Sequence, residues 1–247
     1  MAFVIRKAEC EKDYDIISKN AHIIWNEHYG NILKKEQIDY MLSKFQSSLA
    51  IKEQIKKDKY EYYILEDDEV VGYIGIKIQP EDKKLFLSKL YILSNFRRKG
   101  YSRKVFTFLK EYASSHNLSG IYLTVNKENL LSIEVYRHFG FITVREKKTD
   151  IGGGFYMDDY IMEYEMPLTR IALISIIVED KSSVDKLNSI LSDYGQYIIG
   201  RMGIPYEKKN VSVISVAVDA PNDIINTLSG KLGALNGINT KTVYSNK

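Results

Sequence analysis

Arg97-Arg98-Lys99-Gly100-Tyr101-Ser102 is the stretch of sequence that decides the fold of the larger part of this chain. It lies between a strand-like apolar pattern, residues 84–93, and a helical pattern, residues 102–116. A glycine-containing turn at the start of a helix gathers backbone N–H groups and the positive end of the helix dipole, and such a point binds phosphate groups. Arg103 and Lys104 add further positive charge. From charge alone, a solvated basic face beside a turn glycine explains the stretch equally well.

Two common phosphate-binding motifs are excluded by their spacing. A Walker loop ends in Gly-Lys-Ser/Thr, and a dinucleotide-binding fold has three glycines after its first strand. Neither pattern is present in residues 97–104. The sequence therefore indicates another kind of loop, one suited to a pyrophosphate or a ribose phosphate.

The pattern on both sides of this loop predicts a mixed sheet flanked by helices, an α/β (α+β) fold. Predicted strands cover residues 3–6, 60–66, 69–78, 84–93, 120–125, 141–148 and 155–166. Predicted helices begin at 13–15 and cover 35–56, 102–116 and 128–139. Three glycines, residues 152–154, join the last two strands in a sharply bent or flexible loop.

A second domain is predicted after residue 168, giving domains 1–168 and 169–247. Its strands are predicted at 171–178, 197–202, 211–218 and 238–244, and its helices begin at Ser182 or Ser183 and at Pro221. This order is the ferredoxin-like βαββαβ arrangement.

Composition points to an ordinary globular protein. Of its 247 residues, 35 are Lys or Arg and 32 are Asp or Glu, so a net charge of +3 does not call for nucleic acid or an anionic membrane as a partner. Cys10 is the only cysteine, which excludes an internal disulfide, and no Cys/His cluster predicts a metal site. The first residues lack the apolar core of a signal peptide. We therefore expect a soluble protein of the cytoplasm.

Several motifs together resemble the GNAT acetyltransferase superfamily. Residues 97–102 match its pyrophosphate loop, Gln/Arg-x-x-Gly-x-Gly/Ala, with Ser at the last position. Residues 85–93 resemble the strand that precedes the loop in that family. Asn126, Asn129 and the run 136–141, Tyr-Arg-His-Phe-Gly-Phe, resemble its next strand and helix. The resemblance covers nearly all of residues 1–168.

The resemblance implies acetyl-CoA as cosubstrate and transfer of its acetyl group to an unidentified amine: a small molecule, a polyamine or a peptide. The main-chain amide near Ile92 would stabilise the oxyanion, and Tyr136 would protonate the departing thiolate, although a packing role for this tyrosine is the alternative. The residues implied in cofactor binding are Leu90, Tyr91, Ile92, Arg97, Arg98, Lys99, Gly100, Tyr101, Ser102, Arg103, Asn126 and Asn129.

The general base stays open at this stage. Many relatives carry an acidic residue on the strand before the loop, where this chain has Ser88 and Lys89. Trp25 and Tyr29 are candidates for lining the acceptor site. His28 alone would need no pKa shift to act near neutrality. The candidate bases are Glu27, His28, Asp150, Asp158 and Asp159, while His22, His116 and His138 have no predicted role.

The second domain resembles a ferredoxin-like regulatory module, described as a regulator of the iron-only hydrogenase system and related in fold to ACT domains. Residues 200–205, Gly-Arg-Met-Gly-Ile-Pro, and 230–233, Gly-Lys-Leu-Gly, carry this resemblance. It implies a homo-oligomer, with a small effector as a further possibility. Two functions follow: an N-acetyltransferase with a regulatory or oligomerising module, or a sensor that binds acetyl-CoA without turnover.

Overall fold

A computed structural model describes residues 3–30 and 32–245 of the chain. The chain divides into two compact units, Met1–Met166 and Pro167–Lys247. None of the helices in these described residues is both long and apolar enough to cross a membrane.

The first unit is built on a seven-stranded sheet flanked by five helices. Its strands are β1 (Val4–Lys7), β2 (Glu61–Asp67), β3 (Glu69–Gln79), β4 (Lys84–Ile92), β5 (Gly120–Asn126), β6 (Ile142–Gly152) and β7 (Phe155–Glu165). Its helices are α1 (Glu11–His28), α2 (Lys35–Phe45), α3 (Ser48–Asp58), α4 (Tyr101–Ser115) and α5 (Leu130–His138). The strand order is β1-β2-β3-β4-β5-β7-β6, and the β4–β5 pair is parallel while the other pairs are antiparallel. The predicted mixed sheet is confirmed.

The predicted single helix over residues 35–56 is wrong, because the chain breaks into α2 and α3. Ser47 has an extended backbone (φ −69°, ψ 153°), and its hydroxyl accepts a hydrogen bond from the amide of Ala50 at 3.2 Å. A serine that caps a new helix in this way ends the previous one. Ile38, Met41, Leu42 and Phe45 have helical spacing within α2, and no Gly or Pro separates them from the residues of α3, which is why the pattern predicted one element.

Strands β4 and β5 pair over only part of their length, and this opens the sheet. Their parallel register runs from Lys84 opposite Gly120 to Leu87 opposite Leu123. Beyond Leu87, an irregularity opposite Gly75 and Ile76 bends β4 away from its neighbour. The ends of the two strands are therefore separated by a wedge.

Two apolar cores cover the two faces of this sheet. One is built with α4 and α5 and contains Val105, Phe106, Leu109, Ile133 and Phe141. The other is built with α1, α2 and α3 and contains Ile17, Ile24, Trp25, Leu42, Ile51, Tyr62 and Tyr73. Helices therefore pack against both faces of the sheet and hold the diverging strands β4 and β5 in place.

The second unit has the predicted ferredoxin-like order. Its elements are β8 (Thr169–Val178), α6 (Val184–Asp193), β9 (Ile198–Tyr206), β10 (Val211–Pro221), α7 (Asn222–Gly233) and β11 (Ile238–Tyr244). The strand order is β11-β8-β10-β9, all antiparallel. The buried core lies between one face of this sheet and the two helices.

Ser183 occupies the N-cap position of α6, one of the two positions predicted, but its side chain does not cap the helix. Ser183 has helical dihedrals, and its hydroxyl donates to the carbonyl of Asn236 at 2.8 Å. A short 3₁₀ turn precedes α6, and the Asp180 carboxylate accepts a hydrogen bond from the amide of Ser182 at 2.9 Å. Aspartate is as good an N-cap as serine, so the chain begins its turn earlier than the apolar pattern indicated.

Candidate functional site

A cavity of about 1630 Å³ opens at the wedge between β4 and β5 in the first unit. Twelve of the thirteen residues that the sequence assigned to cofactor binding or catalysis line this cavity; they are Leu90, Tyr91, Ile92, Arg97, Arg98, Gly100, Tyr101, Ser102, Arg103, Asn126, Asn129 and Tyr136. Lys99 is the exception, and its ammonium lies 4.9 Å from the ring centroid of Phe96.

The end of β4 presents unpaired amides to the wedge. The amide of Leu93, just after β4, donates to the carbonyl of Val71 on β3 at 3.0 Å. Leu93 and Val71 therefore form a hydrogen-bonded pair between the two strands. Hydrogen-bonded and non-hydrogen-bonded pairs alternate along antiparallel strands. Ile92 and Leu90 are therefore non-bonded positions relative to β3, and their N–H groups point toward the diverging β5. An extended ligand can pair with these amides as a strand would.

The loop that follows β4 delivers the N-terminus of α4 to the same cavity. Gly100 has φ +84°, and a side chain added there would meet no atom within 4 Å. Its carbonyl accepts hydrogen bonds from the amides of Arg103 at 3.1 Å and Lys104 at 3.3 Å, so the helix starts directly after it. The amides of Tyr101 and Ser102, which come before these two, have no carbonyl partner within the helix and are available to an anion.

Two side chains of the loop hold it in place. The Arg97 guanidinium donates to the carbonyl of Ile92 at 3.0 Å, which ties the loop to the end of β4. The Tyr101 hydroxyl donates to the Asp67 carboxylate at 2.7 Å, and the tyrosine is buried. These two contacts fix the position of the anion site at the first turn of α4. The residues of the wedge and the loop together fit a CoA-type ligand.

Asn126 and Asn129 are buried and shape the turn between β5 and α5. The side-chain oxygen of Asn126 accepts from the amide of Glu128 at 2.9 Å. That of Asn129 accepts from the amide of Ser132 at 3.4 Å and caps α5. Both asparagines line the cavity, and their hydrogen bonds fix the position of α5 beside it.

Tyr136 projects from α5 into the cavity. Its ring packs against Phe106 and Phe141, with centroid distances of 6.4 and 5.9 Å. Burial, and to a lesser degree the neighbouring Tyr29, raise the pKa of Tyr136 above its usual value. The phenol therefore stays protonated at neutral pH, as a proton donor must.

Asp159 on β7 is distinguished among the candidate bases. One of its carboxylate oxygens, Oδ1, is buried without a hydrogen-bond partner among the described residues, and the side chain lines the cavity. Burial, and then the charge of Asp158, raise its pKa to about 6. Its neighbour Asp158 lies outside the cavity and forms an ion pair with Lys127 at 2.7 Å.

The other candidate bases have less suitable surroundings. His28 lines the cavity, but burial and the charge of Arg97 lower its pKa, and Asn129 lies beside it. Asp150 also lines the cavity, and its carboxylate accepts from the amide of Gly152 at 2.8 Å. Glu27 is exposed and does not line the cavity.

Further residues of the cavity wall lie outside the set that the sequence predicted for cofactor binding or catalysis. Trp25 and Tyr29 are buried and line the cavity, so they serve both the core and the wall. His138, which had no predicted role, is an exposed residue of the wall.

Lys89 was noticed only for the carboxylate it replaces, yet it is buried in the wall. In the alternation of β4, Lys89 follows Leu85 and Leu87 of the core on the α4 and α5 side. The irregularity after Leu87 turns Lys89 to the face of Tyr62, so only the structure places it in this wall.

Comparison with known families agrees with this geometry. Residues 21–141 match the acetyltransferase (GNAT) family, and residues 170–242 match the TM1266-like family, described as a proposed iron-only hydrogenase system regulator.

In the described residues, no group of three or more His, Cys, Asp or Glu side chains is arranged to hold a metal ion.

Solved structures similar to this chain cover both units. PaiA N-acetyltransferase from Thermoplasma acidophilum, in complex with coenzyme A, is 20% identical over 67% of this chain and 99% of its own, with a TM-score of 0.56. A point mutant of spermidine N-acetyltransferase SpeG from Vibrio cholerae is 19% identical over 66% and 94%, with a TM-score of 0.48. TM1266 from Thermotoga maritima is 31% identical over 31% of this chain and 96% of its own, with a TM-score of 0.30. By the two family matches, the chain joins a domain of the GNAT acetyltransferase family, an acyltransferase that uses acetyl-CoA, to a domain of the TM1266-like family.

Proposed function

We propose that the first unit transfers the acetyl group of acetyl-CoA to the amine of an acceptor by direct attack, with Asp159 as the general base. The observation that carries this proposal is the buried, unpartnered carboxylate oxygen of Asp159 in the cavity that also holds Tyr136 and the β4 amides. Acetyl-CoA supplies an activated thioester, and the residues of the chain supply orientation and proton transfer.

Binding and orientation fall to the wedge and the loop. The first-turn amides of α4, with Arg98 and Arg103 nearby, would hold the pyrophosphate. The amides of Leu90 and Ile92 point into the wedge, where the former would pair with the pantetheine. The amide of Ile92 would donate to the carbonyl oxygen of the thioester, since a fixed donor stabilises the negative charge that develops there.

Proton transfer requires one ionised and one neutral group. With a pKa of about 6, Asp159 is mostly ionised at pH 7 and can accept the proton of the attacking amine. Tyr136 is neutral at that pH and can give its proton to the departing sulfur. The two groups need opposite protonation states, and the same buried environment allows both.

The test measures thiol release from acetyl-CoA with a panel of amines, for the native chain, Asp159→Asn and Asp158→Asn. We expect Asp159→Asn to lower kcat/KM about 100-fold or more, the usual effect of losing a general base. Asp158→Asn is the matched control: its carboxylate pairs with Lys127 outside the cavity, so kcat/KM at neutral pH should be retained, while the loss of its charge should lower the pKa of Asp159. Acetyl-CoA affinity should be the same in all three proteins.

The pH dependence gives a second readout. Because the pKa of Asp159 is raised to about 6, kcat/KM of the native chain should fall as pH drops through 6 and the carboxylate takes up a proton. Asp159→Asn should lack this fall. If acetyl-CoA binds and no amine of the panel is acetylated, the protein is a sensor of acetyl-CoA and the enzymatic proposal is wrong.

For the second unit we propose a regulatory module that associates with a second copy through its open sheet face. Residues on the face opposite α6 and α7 are apolar and exposed: Ile171, Leu173, Met202, Ile204, Val213 and Val243. An exposed apolar surface of this kind marks an interaction site more often than a free surface. A face-to-face pairing of two such sheets would bury it.

A further inference from the structure

Lys89 is a buried cation in the wall of the cavity. It retains 7% of its exposure, and its ammonium donates to the side-chain oxygen of Gln54 at 3.1 Å and to the Ser88 hydroxyl at 3.3 Å. It also lies 5.0 and 5.1 Å from the ring centroids of Tyr60 and Tyr62. All four partners are neutral.

No carboxylate of the described residues forms an ion pair with Lys89. Asp58 also lines the cavity, but it is exposed and is not paired with Lys89. Burial alone accounts for the lowering of the Lys89 pKa to about 7. An ammonium in such a place costs free energy unless an anion joins it.

Lys89 and Asp159 lie on the same side of the sheet. Lys89 contacts Tyr62, which belongs to the core built with α1, α2 and α3. Burial and, less strongly, the charge of the nearby Asp159 raise the pKa of Tyr29, which belongs to the same core. Lys89 lies where β4 has diverged from β5, and Asp159 lies on β7 opposite Asn126 of β5, so their main chains are more than two ordinary strand spacings, about 10 Å, apart. One wall of the cavity thus carries a basic side chain, Lys89, and an acidic side chain, Asp159.

We propose that Lys89 determines acceptor specificity by binding a carboxylate of the acceptor while Asp159 faces its amine, so that the substrate class is an amino acid or another amino-carboxylate. This inference rests on the proposed acetyl transfer. An acceptor carboxylate would supply the anion that the described residues do not offer to Lys89. A polyamine would instead bring a second cation toward the ammonium and be repelled.

The test uses three acceptors of equal length that differ only at one end: 6-aminohexanoate, hexylamine and 1,6-diaminohexane. We expect the native chain to have a kcat/KM at least about 10-fold higher for 6-aminohexanoate than for the diamine, since one ion pair in a water-poor site is worth about that factor. Shorter and longer amino-carboxylates then locate the spacing that the cavity prefers.

Lys89→Met and Lys89→Gln remove the charge, and Gln keeps a polar group toward Gln54. Both should raise the KM for 6-aminohexanoate about 10-fold, leave kcat within about three-fold and leave hexylamine unaffected, because only the amino-carboxylate loses a charged partner. Lys77→Met is the matched control: Lys77 also lies over the Tyr60 ring, at 5.4 Å, but does not line the cavity. Fluorescence of Trp25, the only tryptophan, verifies that each variant is folded.

Equilibrium binding of 6-aminohexanoate to the CoA-saturated protein separates this inference from the proposed function. Binding that weakens in Lys89→Met supports the role of Lys89 even in a protein without turnover. Acetylation of the diamine in preference to the amino-carboxylate would overturn the inference and leave the acetyltransferase standing. A loss of kcat with unchanged KM in Lys89→Met would also overturn it, because Lys89 would then act in proton transfer.

Discussion

Three polar side chains of the cavity, Tyr136, Asp159 and Lys89, share one physical effect. Burial is the largest influence on each of them, and it shifts each pKa toward the neutral form: upward for Tyr136 and Asp159, downward for Lys89. For Asp159 and Lys89 this shift brings the pKa close to neutral pH, so each can change its protonation state there at little free-energy cost. For Tyr136 the shift moves the pKa further from neutral pH, which keeps the phenol protonated and able to donate.

At the residue scale, Tyr136→Phe tests the proton donor. Removing the hydroxyl leaves the ring against Phe106 and Phe141, so acetyl-CoA affinity should stay the same while kcat falls about 100-fold. Steady-state kinetics and calorimetric titration with acetyl-CoA measure the two effects.

Tyr164→Phe is the control for this prediction. Its ring contacts Phe141 at 5.7 Å, but it does not line the cavity, so the variant should match the native chain. An unchanged kcat in Tyr136→Phe would remove the tyrosine from the mechanism and leave it a packing role.

At the scale of elements, the shape of the wedge depends on how closely β3 approaches β4. Gly72 on β3 lies opposite Ile92, and a β-carbon at Gly72 would be 2.1 Å from the carbonyl oxygen of Tyr91. Only glycine permits this contact, because the neighbouring atom is backbone and cannot rotate away. The position of the β4 amides is thus set by a residue outside the cavity.

We expect Gly72→Ala to displace the end of β4, to lower the free energy of unfolding of the first unit by about 1 to 3 kcal/mol and to weaken acetyl-CoA binding about 10-fold. Denaturation followed by Trp25 fluorescence reports on this unit alone, since no tryptophan lies in the second. Gly203→Ala is the control, because its nearest contact would be 3.9 Å away. Unaltered acetyl-CoA affinity in Gly72→Ala would contradict the link between the strand contact and the site.

At the scale of the whole molecule, the open sheet face of the second unit predicts association. Leu173 and Val213 remain 42% and 39% exposed there, although their strands are central in the sheet. Burying this face between two copies removes apolar surface from water, which favours a dimer.

Light scattering at micromolar concentration should therefore find a homo-oligomer, and Leu173→Asp should convert it to a monomer with unchanged circular dichroism. Leu49→Asp is the control, because Leu49 is 69% exposed on α3 of the first unit. A monomer in the native chain would refute the proposed association.

Much of the fold was predictable because its signals are local in the chain. The loop at residues 97–102, the strand before it and the helix after it follow one another directly, and their periodicities are readable without knowing what they contact. The succession of strands and helices along the chain in both units followed in the same way. The break at Ser47 did not, because no Gly or Pro marks it in the sequence and a single side-chain cap decides where the second helix begins.

The residues of the cavity also divide into those that local sequence identifies and those that only the tertiary structure identifies. Motif positions such as Gly100 and Tyr136 could be named from the sequence, since each occupies a fixed place within a continuous segment. Asp158 and Asp159 could not be separated, because adjacent strand residues point to opposite faces and only the pairing of β7 with β5 determines which face borders the cavity. The role of Lys89 also depends on the tertiary structure. Its neighbours are Gln54 of α3, Tyr60 just before β2 and Tyr62 of β2, and only long-range packing brings this lysine together with neutral partners.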